Sequence, residues 1–261
     1  MKALILAAGR GTRLGALTAD RPKPMLPIAG VPMIERIMRG IQESAAIVDF
    51  VLVIGYLGDV VRAYFGDGSR FGWRVQYVEQ ANPKGLGEAV DVARPMLSDG
   101  PFLMTYGDMM MGTANYEAVA ALHREGAGDV VLGLNWVDDP WSGAAVYVDE
   151  APAIQGESDA AGIGFFRVLR VDEKPPRGTA TTHWNNSGLF VLPPSVFEYT
   201  SKLVPSRRGE YEFSDAVSAM VADGLHVQGV PLTGSWRDVG TPADYEAINR
   251  EFADLASGPS S

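Results

Sequence analysis

The sequence predicts an α/β protein: a mixed, mostly parallel sheet with helices on both faces. Three observations carry that prediction. Short, unbroken apolar runs recur through the first half, as strands buried on both faces require. Segments with apolar residues at helical spacing separate them, the alternation expected of a parallel sheet. The first run leads straight into a loop rich in glycine, arginine and proline.

The elements follow in order. Ala3 to Ala7 is apolar throughout, is bounded by Gly9, and reads as a buried strand. Gly9 to Pro32 reads as loop. Met33, Ile34, Ile37, Met38 and Ile41 sit at helical spacing, with Pro32 near the first turn, where a missing N–H does no harm. Phe50 to Ile54 is a second buried strand, and Leu57 to Phe65 is a short helix closed by the turn GDGS. Arg74 to Glu79 alternates like a strand, Glu88 to Leu97 reads as one helix, and Phe102 to Tyr106 is a strand running into Gly107-Asp108. Tyr116 to Glu125 is helical and Asp129 to Val137 is a strand. Beyond this point the rhythm changes. Ala144 to Val148 and Ile163 to Val171 read as strands of a hairpin or sheet extension, joined by a loop containing Gly and Asp. Gly188 to Leu192 is a strand; Pro193 to Lys202, Phe213 to Asp223 and Ala243 to Leu255 are helices. No repeat or low-complexity linker divides the chain, so residues 1–255 are expected to form one domain, with 256–261 a disordered tail.

Composition bounds the function. The 261 residues carry 22 Lys and Arg against 32 Asp and Glu, a net charge of −10. Such a chain repels phosphate backbones, so no nucleic-acid partner is expected. A small phosphorylated ligand held by local cations is compatible with it, as is recruitment of a divalent cation. No apolar run reaches the length of a membrane span. The apolar stretch after Lys2 is too short for a secretion signal, and the absence of cysteine excludes disulfides and thiolate metal sites. These features point to a cytoplasmic protein.

The densest chemical signal is LILAAGRGTRLGALTADRPKPMLP, Leu4 to Pro27. Gly9, Gly11 and Gly15 directly follow a strand, and glycine lets backbone N–H groups close on a phosphate with no Cβ in the way. Arg10, Arg13, Arg21 and Lys23 crowd four cations into 14 residues of an acidic chain. A triphosphate would account for them. A dinucleotide fingerprint should open directly into a helix, whereas Pro22, Pro24 and Pro27 keep this chain extended. A P-loop needs G-x-x-x-x-G-K-[ST], which is absent. On the glycines alone, a turn-rich loop with surface charges remains open.

The motifs GRGTRL, RPKPMLPI, VIGYLGD, YFGDGS, VEQANPKGLGEAV, YGD, DEKP, NSGLFV, RRGEYEFSDAV and SWRDVGTPADY occur in this order between Lys2 and Glu246. On them the chain resembles the sugar-1-phosphate nucleotidyltransferases, or nucleotide-sugar pyrophosphorylases, notably the bacterial and archaeal glucose-1-phosphate thymidylyl- and uridylyltransferases. The resemblance implies the nucleotide-diphospho-sugar transferase fold, a Rossmann-like sheet with a smaller sugar-binding β extension. Residues 1–137 would mainly hold nucleotide and 138–255 the sugar phosphate. It implies attack by a sugar-1-phosphate oxygen on the α-phosphorus of a nucleoside triphosphate, with pyrophosphate leaving and Mg²⁺ as cofactor. Both reactants are anionic, so catalysis is charge neutralisation and in-line positioning.

The resemblance also assigns residues. Ala8, Gly9, Gly11, Thr12 and Arg13 fall at the triphosphate, with Lys23 neutralising it. Asp108, at the carboxyl end of a strand, and Asp238, in WRDVG, fall at the metal; their separation in sequence does not show that they meet. The plain alternatives are a solvated lysine and two turn aspartates. Gln80 and Gly85 fall in the segment that reads the base. A glutamine amide, donor and acceptor together, matches the edge of uracil or thymine. Together with the single glycine of Leu6-Ala7-Ala8-Gly9, this favours dTTP or UTP. Glu173 falls on sugar hydroxyls, and Lys174 and Arg208 on the sugar phosphate. Gly143 and Asn186 fall near the sugar. Arg207 and Asn185 are neighbours that could take the places of Arg208 and Asn186. Trp141-Ser142 stands where relatives often show a tyrosine, so glucose is only the default sugar.

The remaining candidates are bland. His123, His183 and His226 have no metal spacing, and His123 is expected to be exposed on its helix. Met109–Met111 would pack beside the site, and most of the five tryptophans would lie in the core. The resemblance suggests a homo-oligomer, and from the length of this chain the C-terminal β-helix domain of larger relatives is not expected in it. Two other functions stay open: a CTP- or GTP-dependent transferase acting on phosphocholine, a phosphonate, or mannose or heptose phosphate, and a non-catalytic nucleotide-binding regulator.

Overall fold

The structure, a computed structural model, describes residues 1–81, 83–149 and 164–257. β1 (Lys2–Leu6) is followed by a loop that is more ordered than its composition suggests. The loop holds two 3₁₀ segments, Thr12–Thr18 and Lys23–Met25, and the two-residue strands β2 (Pro27–Ile28) and β3 (Val31–Pro32). Next come α1 (Met33–Ala45), β4 (Asp49–Ile54), α2 (Gly58–Phe65), β5 (Arg74–Glu79), α3 (Leu86–Asp91), α4 (Arg94–Leu97), β6 (Phe102–Tyr106), β7 (Met109–Met111), α5 (Ala114–Arg124) and β8 (Val130–Trp136). The second half holds β9 (Ala144–Val148), β10 (Phe166–Glu173), β11 (Trp184–Leu192), α6 (Val196–Thr200), α7 (Phe213–Ala222), β12 (Val227–Pro231), β13 (Trp236–Asp238) and α8 (Pro242–Ser257).

Nine strands form one sheet in the order β5-β4-β1-β6-β11-β8-β12-β10-β9, and β9 also touches β11. β5, β4, β1 and β6 are parallel; β11 runs antiparallel to both β6 and β8, and β12 lies parallel to β8. The strand β12, in HVQGVPL, was not among the elements expected from the sequence. Its Gly229 is a close approach, since a Cβ there would lie 2.7 Å from Leu134. The expected β9/β10 hairpin forms, antiparallel, although the expected start of its second strand at Ile163 lies outside the described residues.

Both sheet faces are buried. Along β1, Ala3, Ile5 and Ala7 enter one apolar cluster and Leu4, Leu6 and Ala8 the other, as the two-residue strand period requires. All are less than a tenth exposed. Each large aliphatic side chain so buried contributes roughly 1.5–3 kcal/mol. α1 buries Met33, Ile34, Ile37, Met38 and Ile41, the stripe read from the sequence.

The single helix expected over 88–97 is two. Pro95 lacks the N–H that would bond the carbonyl of Asp91, the last residue of α3, so the chain resets before α4. α8 runs through Ser257, two residues into the expected tail; residues 258–261 are not described. β11 begins at Trp184 rather than Gly188, because Asn186 and Phe190 flank a bulge where Gly188 takes φ +82°. Among the described residues no helix is long and apolar enough to cross a membrane.

Candidate active site

The chain leaves β1 for β4 and β5 on one side and returns to β6 on the other. The sheet order therefore switches between β1 and β6, and open α/β sheets bind ligands outside the strand ends at such a point. A cleft of about 780 Å³ lies there. Ala8, Gly9, Arg13, Lys23, Gln80, Gly85, Asp108 and Asp238 line it, and so do Gly143, Glu173, Lys174, Asn186 and Arg208. Gly11 and Thr12 do not. Gly11 adopts φ +66°, and a Cβ on it would lie 2.8 Å from Lys23 Cβ, so this glycine makes room for the lysine.

Lys23 is not a surface lysine. It is 6% exposed, and its Nζ donates to Asp108 Oδ2 at 2.6 Å and to Asp238 Oδ1 at 3.1 Å. Burial opposes the charged ammonium, but the two carboxylates outweigh it and raise the Lys23 pKa. Arg13 Nη2 stands 4.0 Å from Asp238 Oδ2. The aspartates meet because β7 and β13 pair antiparallel, Met109 opposite Asp238, with Val239 N donating to the Asp108 carbonyl at 3.2 Å. This small ribbon was not expected. The Met109–Met111 run is one strand of it, and Met109 lines the cleft.

The donor set fits a hard divalent cation. Two part-exposed carboxylates converge on a point that already holds a positive charge. Among the described residues no third His, Cys, Asp or Glu joins them. Mg²⁺ is ordinarily held by one or two carboxylates, with substrate phosphate oxygens and water completing the shell.

Gln80 is 4% exposed, and its Nε2 donates to Gly85 O at 3.2 Å and Glu88 Oε2 at 3.0 Å. These two acceptors fix the amide orientation, since the flipped amide would set oxygen against oxygen. The donor half expected for base pairing is spent internally, and Oε1 is what the amide can offer. Gly85 adopts φ +111°, and a Cβ there would meet Tyr211 O at 2.6 Å. Gly87 N donates to Tyr211 O (2.8 Å) and Tyr211 N to Lys84 O (2.7 Å), joining loop 83–87 to the 206–212 segment.

Across the cleft, Asn185 and Asn186 differ in kind. Asn185 is buried and saturated: its Oδ1 accepts from Ala144 N (3.0 Å), and its Nδ2 donates to Asn135 Oδ1 (3.0 Å) and Asn186 O (2.9 Å). Asn186 uses Oδ1 to accept from Gly188 N at 2.9 Å. Gly143 is glycine because a Cβ would fall 2.1 Å from Asn185 Oδ1. Its carbonyl accepts from Lys174 N at 2.8 Å, and Lys174 takes φ +42°, a strained conformation for a residue with a Cβ.

Burial pushes the Glu173 carboxyl up, although the Ser214 hydroxyl donates to its Oε2 at 3.0 Å. Arg208 Nη2 lies 3.4 Å from Glu173 Oε1 and 2.8 Å from each oxygen of Glu212. Arg207, by contrast, does not line the cleft.

Several participants were not singled out from sequence. Asp139 accepts from Trp141 N (3.3 Å) and Gly178 N (2.8 Å), tying two cleft loops together. Glu212 is 5% exposed, and only its place between Arg208 and the helix start could have marked it. Trp136 and Trp141 are 61% and 45% exposed, against the expectation of core tryptophans, and Trp136 stacks on His183 at 4.6 Å. His123 is half-buried rather than exposed, and burial lowers its pKa.

With this geometry in place, comparison with known proteins is informative. The profile of the nucleotidyl transferase family matches residues 2–254, and the chain belongs to that family. It is 32% identical over 251 residues to a glucose-1-phosphate thymidylyltransferase of Streptomyces griseus, covering 96% of this chain and 65% of that protein. It is 34% identical over 254 residues to a bifunctional protein GlmU of Methanococcus maripaludis, covering 97% of this chain and 54% of that one. The chain thus spans roughly half to two thirds of the length of these curated relatives. Its fold is that of a UDP-glucose pyrophosphorylase crystallised with UDP-glucose, with TM-score 0.84 at 20% identity, covering 97% of this chain and 98% of the other.

Proposed function

We propose that this chain transfers a nucleotidyl group from a nucleoside triphosphate to a sugar 1-phosphate, giving a nucleoside-diphosphate sugar and pyrophosphate. The observation that carries the reading is the Lys23 ammonium between Asp108 and Asp238 beside the glycine loop. Three groups far apart in sequence converge where a cation and a triphosphate would be held together.

In this reading Gly9 lets the backbone after β1 approach the β- and γ-phosphates, and Arg13 and Lys23 neutralise them. Mg²⁺, held by Asp108 and Asp238, would screen charge on the phosphates as the sugar-phosphate oxygen approaches. Lys23, the buried cation beside these carboxylates, offsets the charge that develops on the leaving pyrophosphate. Lys174 and Arg208 hold the incoming sugar phosphate in line, and Glu173 and Asn186 take sugar hydroxyls. Gln80 Oε1 accepts a hydrogen bond and so favours a base presenting a ring N–H, as uracil and thymine do at N3. Cytosine and adenine present a lone pair at the corresponding ring nitrogen and are disfavoured. Guanine also carries a ring N–H, so a GTP-dependent transferase is the second reading. With the relatives named above, this supports dTTP or UTP as donor.

The experiment is pyrophosphate release with Mg²⁺, crossing five triphosphates with a panel of sugar 1-phosphates, for the wild type and for Asp108→Asn and Asp238→Asn. Release with dTTP or UTP, lost in both variants, is the expected outcome. Full turnover in the variants would remove the metal assignment. Nucleotide binding with no turnover across the panel would favour the regulatory reading.

A further inference from the structure

We infer that Glu212 is a positioning residue that aims Arg208 at the sugar phosphate. The inference rests on the reading above that Arg208 holds that phosphate. Arg208 sits in an exposed turn beside Gly209 (φ +76°), where a long side chain would be free to sample many rotamers. It does not do so. Glu212 accepts from its Nε at 3.2 Å and from its Nη2 at 2.8 Å on both carboxylate oxygens. Such charge-assisted, multidentate contacts fix the plane of a guanidinium as well as its position. Among the described residues no hydrogen bond runs to Nη1, so that edge is left for a ligand.

Glu212 is itself held firmly. Ser206 Oγ donates to its Oε1 at 2.6 Å, and its backbone carbonyl accepts from Asp215 N at 3.2 Å in the first turn of α7. The preceding residue, Tyr211, is bonded through both N and O to loop 83–87, on which Gly85 packs without room for a Cβ. Arg208 is thus braced by a buried carboxylate on a segment anchored from two sides. Glu210 and Glu173 also approach Arg208 Nη2, at 3.3 and 3.4 Å, but they are more exposed than Glu212 and each offers a single contact.

The test is the split of kinetic constants between the two substrates in the full chain. Glu212→Gln keeps the shape but turns one acceptor toward Arg208 into a donor. The KM for sugar 1-phosphate should rise about tenfold or more, with the KM for the triphosphate within about twofold of wild type. Ser206→Ala, which frees Glu212 from one donor, should move the same constant in the same direction by less. Arg208→Lys should raise the KM for sugar 1-phosphate as Glu212→Gln does. An equal rise in both KM values, or a fall in kcat alone, would show Glu212 to be merely structural and overturn the inference. So would an unchanged Glu212→Gln beside an impaired Arg208→Lys. If Arg208→Lys also binds sugar 1-phosphate normally, the phosphate role of Arg208 fails first and the inference with it.

Discussion

Lys23→Met tests the electrostatic centre of the site without touching the fold around it. Methionine keeps the length and apolar stem of lysine and removes only the ammonium. The wild-type side chain is 8% exposed and makes two charge-assisted bonds, at 2.6 and 3.1 Å, to carboxylates that are 29% and 37% exposed. Hydrogen bonds to charged groups contribute about 1.5–3 kcal/mol each when buried. Water reaching the two aspartates recovers part of this, and the ammonium no longer has to be desolvated. Against that recovery, the variant leaves two carboxylates facing each other with the Arg13 guanidinium, 4.0 Å from Asp238 Oδ2, as the nearest remaining cation. The expected net loss is about 2–3 kcal/mol, on the order of 5–10 °C in Tm for a chain of this size. Urea denaturation without nucleotide measures it directly. Adding Mg²⁺ should restore much of the loss in Lys23→Met, because a divalent cation can take the place between the carboxylates, and should change the wild type little. A variant as stable as wild type and indifferent to Mg²⁺ would refute the reasoning, since the two aspartates would then not be gathered as described.

Other outcomes follow from neighbouring features. Gln80→Ala should leave the fold intact but narrow the preference for UTP over CTP by about tenfold, read as the ratio of kcat/KM values, because the oriented Oε1 is lost. Gly143→Ala places a Cβ 2.1 Å from Asn185 Oδ1 and unseats its bond to Ala144 N; it should cost about 2–4 kcal/mol in urea denaturation. Glu173 has a raised folded pKa, first through burial, so above its ordinary value of 4.5 the folded protein holds a proton that the unfolded chain has released. Stability contributed by this group therefore falls as pH rises from that value through the folded one, and Glu173→Gln should flatten the slope in a pH series of denaturation curves.

Much of the fold was written locally. The apolar runs 3–7, 50–54 and 102–106 became parallel neighbours because a strand buried on both faces needs no partner's identity to declare itself. α1 was equally plain, its stripe being continuous over three turns. Elements whose stability comes from a distant partner were not legible. β7 and β13 are three residues each and exist only because they pair across the chain. β12 hides behind a glycine and a proline that tertiary packing tolerates.

The candidate site divides in the same way. The glycine loop, its cations and the strand-end Asp108 stand out because several unusual residues lie close together in sequence. That Asp238 faces Asp108, that Lys23 bridges them, and that the Asn185 amide is spent on Ala144, Asn135 and Asn186 were matters for the folded chain alone. Glu212 is the plainest instance. A single glutamate has no signature in sequence, yet burial and three contacts to one guanidinium give it a role. Sequence determines chemistry and short-range pattern, because those depend on residue type and spacing. Only tertiary structure decides which side chains share one low-dielectric space, because that depends on how the strands order and which loops their ends bring together.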